Sequence, residues 1–215
     1  HTARWSAALR VLAVLTVAGA VVGVLWTLLA PPVHGVVALS KSGERAHAYL
    51  GSESDHFFVA AAMLLGMLTV LAVVAAVAVW QWRAHRGPVL VAALTLGSAL
   101  GALAAAGSGT VAMRARYGVL DVDAVAVTPE NRFHYFTEAP SAFFGHTPLQ
   151  MAIGVLVPAA VAAAVYALFA VATARDDLGA DPPQPVPGLP PPLTDPLTGP
   201  LTDPLTTVDG QPPGR

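Results

Sequence analysis

Four stretches of this sequence contain no Asp, Glu, Lys or Arg, and each is long enough to cross a lipid bilayer as a helix. They run Val11–Ala30, Phe57–Trp80, Pro88–Met113 and Leu149–Ala174. At 1.5 Å per residue, a helix needs about 20 residues to cross a hydrocarbon core of about 30 Å. Helices buried in a soluble core would carry a few polar residues along one face, and these stretches do not. Charged residues make up 11% of the chain, where soluble domains have about 25%. The expected fold class is therefore an all-α membrane protein: four transmembrane helices, a small β-containing extracytoplasmic cap and a Pro-rich disordered tail. Residues 1–175 form the membrane domain and 176–215 the tail. Ala18-Gly19-Ala20 resembles a signal-peptide cleavage site. The apolar run continues to Ala30, however, beyond the usual apolar region of about 7–15 residues, so the segment is read as a retained helix.

Orientation follows from Lys and Arg close to the spans. Arg4 and Arg10 sit at the start of the first span, Arg83 and Arg86 crowd the turn before the third, and Arg175 follows the fourth. If all four helices cross, these places share one side. That side is expected to be cytoplasmic, with both termini on it, in the plasma (inner) membrane. Arg114 and Arg116 weaken the bias, because they follow the third span on the other side. Trp5, Trp26, Trp80 and Trp82 lie near span ends, as an aromatic belt at the bilayer surface requires.

The two outer loops, 31–56 and 114–148, carry strand signals. Val36–Ser40 and Ala46–Leu50 flank Lys41-Ser42-Gly43-Glu44, which reads as a β-hairpin. Val119–Val125 alternates acids and apolars, again strand-like. Pro129 and Pro140 bracket an aromatic stretch, Phe133-His134-Tyr135-Phe136. A lone hairpin is marginal in water, so strands from both loops are expected to pair into a cap of about three strands. The tail is different material. Twelve of the chain's 19 prolines lie in Asp181–Arg215, and Leu193–Pro204 repeats Leu-Thr-Xaa-Pro. Proline at that spacing prevents helices and ladders, which leaves an extended, polyproline-like linker or a docking peptide.

Several function classes find no residues to carry them. The chain has no cysteine and a net charge of −2, so thiol chemistry is excluded and nucleic acid is not an expected partner. No nucleophile elbow, P-loop or dinucleotide fingerprint is present. The spans lack the ionisable side chains that pumps and proton-coupled transporters place at membrane depth. Among seven histidines, His34, His47, His56, His134 and His146 fall in the outer loops, near Glu44 and Asp55, but without a recognised ligand spacing. No cofactor, metal or catalytic residue is expected, and Pro158 in the fourth span is read as a kink.

Two features suggest contacts instead. Ala93, Gly97, Gly101, Ala105 and Gly109 recur at i, i+4 along the third span, a small-residue row of the kind that lets helix backbones approach closely in lipid. Its partner is a helix of the same bundle or of another protein; Gly19 and Gly23 make a shorter row in the first span, and the two rows could face each other. Phe133, Tyr135 and Phe136, with Phe143 and Phe144, are too apolar for free loops and suit an interface.

Three landmarks together are familiar: Trp26-Thr27-Leu28-Leu29-Ala30-Pro31-Pro32-Val33-His34-Gly35, Asp55-His56-Phe57-Phe58-Val59-Ala60-Ala61 and Trp80-Gln81-Trp82-Arg83-Ala84-His85-Arg86-Gly87-Pro88. The sequence from Trp5 to Ala174 resembles an actinobacterial four-helix membrane family of unknown function, and within that setting the small accessory subunits found with mycobacterial Mce lipid importers. The resemblance implies a lipid (fatty acid) import complex as partner, with membrane permease subunits, a cytoplasmic ATPase and a periplasmic tube. It carries over no catalytic residue. The expected function is a non-enzymatic accessory subunit in the lipid bilayer, bound laterally to the permease; the alternative is a stand-alone sensor that uses its outer loops as receptor.

Overall fold

A computed structural model describes residues 2–41, 43–118, 127–128 and 130–173, with residues 2–4 as backbone only. Four long helices alternate with three short strands: α1 (Thr2–Leu29), β1 (Val33–Leu39), β2 (Arg45–Tyr49), α2 (Asp55–Gln81), α3 (Pro88–Tyr117), β3 (Phe133–Glu138) and α4 (Pro148–Val171). Each helix is long and apolar enough to cross a membrane. Two helices outrun their charge-free blocks, α1 beginning at Thr2 and α3 ending at Tyr117, because Arg10, Arg114 and Arg116 are compatible with helix at the ends of a span; α2 matches its block closely, and α4 ends at Val171, short of Ala174. Local chemistry fixes their limits. Pro88 and Pro148 occupy first-turn positions, where a missing N–H costs nothing. Thr147 and Gln150 form a reciprocal capping box at the start of α4. Gly118, at φ +76°, ends α3. Pro158 lies inside a continuous α4.

The helices run up and down, and α3 is the most buried of the four. It packs chiefly against α1 on one side and α4 on another, while α2 packs on α4. Two apolar clusters fill the interior. At the end where α1 and α3 begin, Leu15, Ala76, Leu90, Leu94 and Tyr166 meet. At the opposite end Trp26, Leu64, Leu68, Ala105 and Met113 do so. Many large apolar side chains point outward instead, among them Val14, Val17, Val70, Leu96, Leu156 and Leu168. A water-soluble bundle would bury them. Thr16, Thr69, Thr95 and Ser98 donate their hydroxyls back to carbonyls one turn earlier in their own helices.

The strands pair into one antiparallel sheet of order β2-β1-β3. Strands from both loops thus meet in three strands, as expected. The hairpin falls where its turn residues place it, with Leu39 opposite Arg45 and Gly43 at φ +84°. The third strand is the aromatic stretch Phe133–Glu138, with Gly35 opposite Phe136 and Val37 opposite His134. The alternating stretch Val119–Val125 lies outside the described residues, as does the tail 176–215.

Candidate interaction surface

The small-residue row is used within the chain. Ala93, Gly97, Gly101, Ala105 and Gly109 are all buried, and α1 fills the groove they make. A methyl group placed on Gly19 would collide with the backbone of Gly101, and one on Gly23 with the carbonyl of Ala105. At Gly101 it would come within 2.7 Å of the Leu15 carbonyl oxygen, and at Gly109 within 3.0 Å of the Trp26 ring. The two rows therefore face each other across a contact of backbone on backbone, locked by a bond that Ser108 Oγ donates to the Ala20 carbonyl at 2.8 Å. With α1 seated there, no second helix has access to the row.

Trp26 also departs from expectation. It lies near a helix end yet is fully buried, and its Nε1–H donates to the Ala60 carbonyl at 2.8 Å. It joins α1 to α2 and is no part of an outward belt. Trp80 stacks on Phe169 and packs edge-on against Tyr166, with the Arg86 guanidinium 4.2 Å from its ring centre. Only Trp5 and Trp82 remain exposed as a belt requires.

In antiparallel pairs, directly opposed residues share a face. One face of the sheet carries Val33, Gly35 and Val37 with His47, Tyr49, His134, Phe136 and Glu138. Its central part packs inward: Val33 and Val37 are fully buried, the Phe136 ring occupies the space above Gly35, and Tyr49 meets Phe57 of α2, while His47 and His134 stay exposed. The other face carries Val36, Ala38, Ala46, Ala48, Phe133 and Tyr135. Phe133 is 60% exposed and Tyr135 69%. Of the three aromatic residues nominated from sequence, Phe136 thus holds the sheet together, while Phe133 and Tyr135 stand side by side on an open apolar face.

At the end of this face, where the register also places His34, a carboxylate anchors the sheet to the helices. One oxygen of Glu53 lies 3.0 Å from Nδ1 of His34, 3.0 Å from Nδ1 of His56 and 3.1 Å from the His34 backbone N–H. His56 Nδ1 is also 2.9 Å from the Pro32 carbonyl. Both of its neighbours only accept, so His56 carries its proton on Nδ1. The bond from His34 holds the Glu53 carboxyl below the usual range, and slight desolvation opposes it. The cluster ties the start of β1 to the start of α2. Sequence reading found the histidines but not this cluster, whose members come from two separate stretches, Pro32–His34 and Glu53–His56; the Glu53–His56 spacing was the only local hint. Nearby, Tyr49 donates to Glu138 at 3.4 Å, and burial first, then the Glu138 charge, raises the phenol's pKa. A cleft of about 410 Å³ opens beside β3, walled by Thr110, Met113, Arg114, Glu138, Ser141 and Phe143. No group of three or more His, Asp or Glu side chains among the described residues is arranged to hold a metal ion.

The DUF2567 family, described as protein of unknown function, matches residues 15–180. The chain belongs to that family. Within DUF2567-type proteins, the uncharacterized protein Rv1591 of Mycobacterium tuberculosis is 52% identical over 169 residues, 78% of this chain and 88% of the relative. The uncharacterized protein ML1222 of Mycobacterium leprae is 50% identical over 161 residues, 75% of this chain and 81% of the relative. No solved structure matches.

Proposed function

We propose that this DUF2567 protein is a multi-pass membrane protein that acts as a non-enzymatic accessory subunit, docking through the sheet face of Phe133 and Tyr135 onto the extracytoplasmic surface of a larger membrane assembly. The single observation that carries the reading is that face. Two aromatic side chains stand exposed over small apolar neighbours on a rigid sheet, and buried aromatics are what anchor protein interfaces. The outward Val and Leu side chains of all four helices support a bilayer setting. The resemblance to the small accessory subunits of mycobacterial Mce lipid importers suggests the setting: an Mce-type lipid importer, with a permease as neighbour. On this reading both termini are cytoplasmic, and reporter fusions at Gly87 and Gly43 report opposite compartments; the same compartment for both would overturn the topology.

The deciding experiment is purification in mild detergent followed by identification of what comes with the chain. A subunit brings the membrane complex along, and Phe133→Ser with Tyr135→Ser releases it while the four-helix protein stays folded. A wild-type chain that purifies alone, with a crosslinker at Tyr135 capturing only lipid, sinks the proposal. A second reading, a free-standing ligand-binding membrane protein, is favoured by the cleft beside β3, where Arg114 and Glu138 offer both charges to a polar ligand. It requires the chain to purify alone and to lose a ligand on Arg114→Ala.

A further inference from the structure

A second feature lies at the opposite end of the bundle. Between α1 and α2 runs an apolar groove of about 390 Å³, with Val14 and Leu15 on one wall, Ala75 and Ala78 on the other, and Arg10 and Trp82 at its mouth. The groove follows from the packing: the glycine seam draws α1 onto α3, and small alanines on α2 leave the gap toward α1 unfilled. It opens sideways, where Val14 is 66% exposed. From Ala75 to Trp82 it extends about 10 Å along the helix axis, much of the roughly 15 Å of hydrocarbon in one leaflet.

Among the described residues, its mouth has one sign of charge. Arg10 is exposed and has no hydrogen-bond or ion-pair partner among the described residues, and the same holds for Arg83 on the adjoining turn. The acids of the described residues, Glu44, Glu53, Asp55, Glu130 and Glu138, all lie at the other end, in its loops and strands or, for Asp55, at the first residue of α2. A guanidinium is weakly hydrated and binds phosphate through paired N–H donors. An indole beside it suits the boundary between headgroup and chain. The occupant that satisfies both parts of the site brings an anion and a hydrocarbon chain together.

We propose that this groove holds an acyl chain of an anionic glycerophospholipid, with the lipid phosphate on Arg10 and its glycerol region beside Trp82. The proposal rests on the membrane reading above, but not on any partner protein. The neighbouring groove on the other flank of α1 serves as an internal comparison. It is of similar size, about 450 Å³, and is bounded by Trp5, Leu9, Pro88 and Leu96, but among the described residues no charged side chain lines it. It offers an anionic lipid nothing that a zwitterionic lipid lacks.

The test is native mass spectrometry of the full chain in detergent, titrated with phosphatidylglycerol and with phosphatidylcholine of the same chains. Wild type is expected to prefer phosphatidylglycerol. Arg10→Gln lowers phosphatidylglycerol binding roughly tenfold, the loss of a charge-assisted contact, and leaves phosphatidylcholine unchanged. Ala78→Phe, at an exposed position, fills the groove and lowers binding of both lipids. Ala92→Phe in the comparison groove and Arg83→Gln outside either one leave the preference intact. Equal phosphatidylglycerol binding by wild type and Arg10→Gln overturns the site, and so does an equal loss on Arg83→Gln, which would mark mere surface charge. A chain that stays folded and soluble without detergent would remove the membrane reading instead, so the two failures are distinguishable.

Discussion

The seam between α1 and α3 and the open face of the cap are built from opposite materials. The seam is made of Gly, Ala and Ser, and backbone touches backbone. The face presents Phe133 and Tyr135 with nothing against them. From sequence, the face stood as a contact surface for another protein, and the row as one for a helix either of the same bundle or of another protein. The structure assigns the seam to the chain's own packing and leaves the face unused. Small residues gain nothing unless another backbone is already close, so a row of them is filled from within when a matching row exists on a neighbouring helix. Large aromatic residues left exposed have no such internal account.

Substitutions can break this contrast or sharpen it. The largest effect is expected for Gly101→Leu, where the obstacle is the Leu15 backbone carbonyl and cannot rotate away. The loss should reach about 3 kcal/mol, the upper part of the overpacking range, seen as lost expression or a lower melting temperature in detergent. Gly107→Leu is the control on the same helix: nothing lies within 4 Å of its added carbon, so the protein should stay folded. If the two variants behave alike, the seam is not a close contact.

Within the cap, Gly35→Leu meets the Phe136 ring, which can swing aside, so about 1–2 kcal/mol is expected. Trp26→Phe keeps most of the ring and removes the bond to Ala60, for about 1 kcal/mol; an unchanged melting temperature would show the bond to be idle. Tyr135→Ser should change stability by less than about 0.5 kcal/mol, as exposed positions do, while abolishing co-purification of a partner. A stability loss as large as that of Gly35→Leu would mean that Tyr135 is structural and the two faces of the sheet are not distinct.

The smallest effect is a pH dependence at Glu53. Its carboxyl titrates lower in the folded chain than in the unfolded one, so the unfolded state takes up protons first as pH falls. The stabilisation is full above the unfolded carboxyl pKa and is lost as pH drops through the folded one. Glu53→Gln should remove this acid-side slope in a series of melting curves from neutral pH to about pH 3, its loss of stability being largest at neutral pH and vanishing toward the acid end. An identical slope in the variant would show that the bond from His34 contributes nothing to it.

The spans were legible because a charge-free run of that length has few other uses, and the β1–β2 hairpin because Ser-Gly marks its turn. The third strand was harder. Phe133–Glu138 carries aromatics on both faces, one packed and one exposed, so the alternation that betrays a half-buried strand is absent. Strict alternation drew attention to Val119–Val125 instead. The row on α3 was visible as a row, but its occupant depended on Gly19 and Gly23 arriving at the same depth, which follows from how the helices lean together. Trp26 looked like its neighbours near the span ends, and nothing in one dimension tells an indole facing Ala60 from one facing outward. The Glu53 cluster depends on strand register, which brings His34 to a carboxylate 19 positions away.

The order of the sheet has a consequence for how the chain is made. β1 lies in the middle, between a strand that follows it at once and one that comes only after all of α2 and α3. During synthesis the hairpin is complete early, with one side of β1 still open. That side is a row of unpaired N–H and C=O groups, able to join any extended strand that passes. It is closed only when Phe133–Glu138 emerges. Until then the newborn chain carries an adhesive edge that the finished protein has hidden, and the segment that hides it is the same one that bears Phe133 and Tyr135.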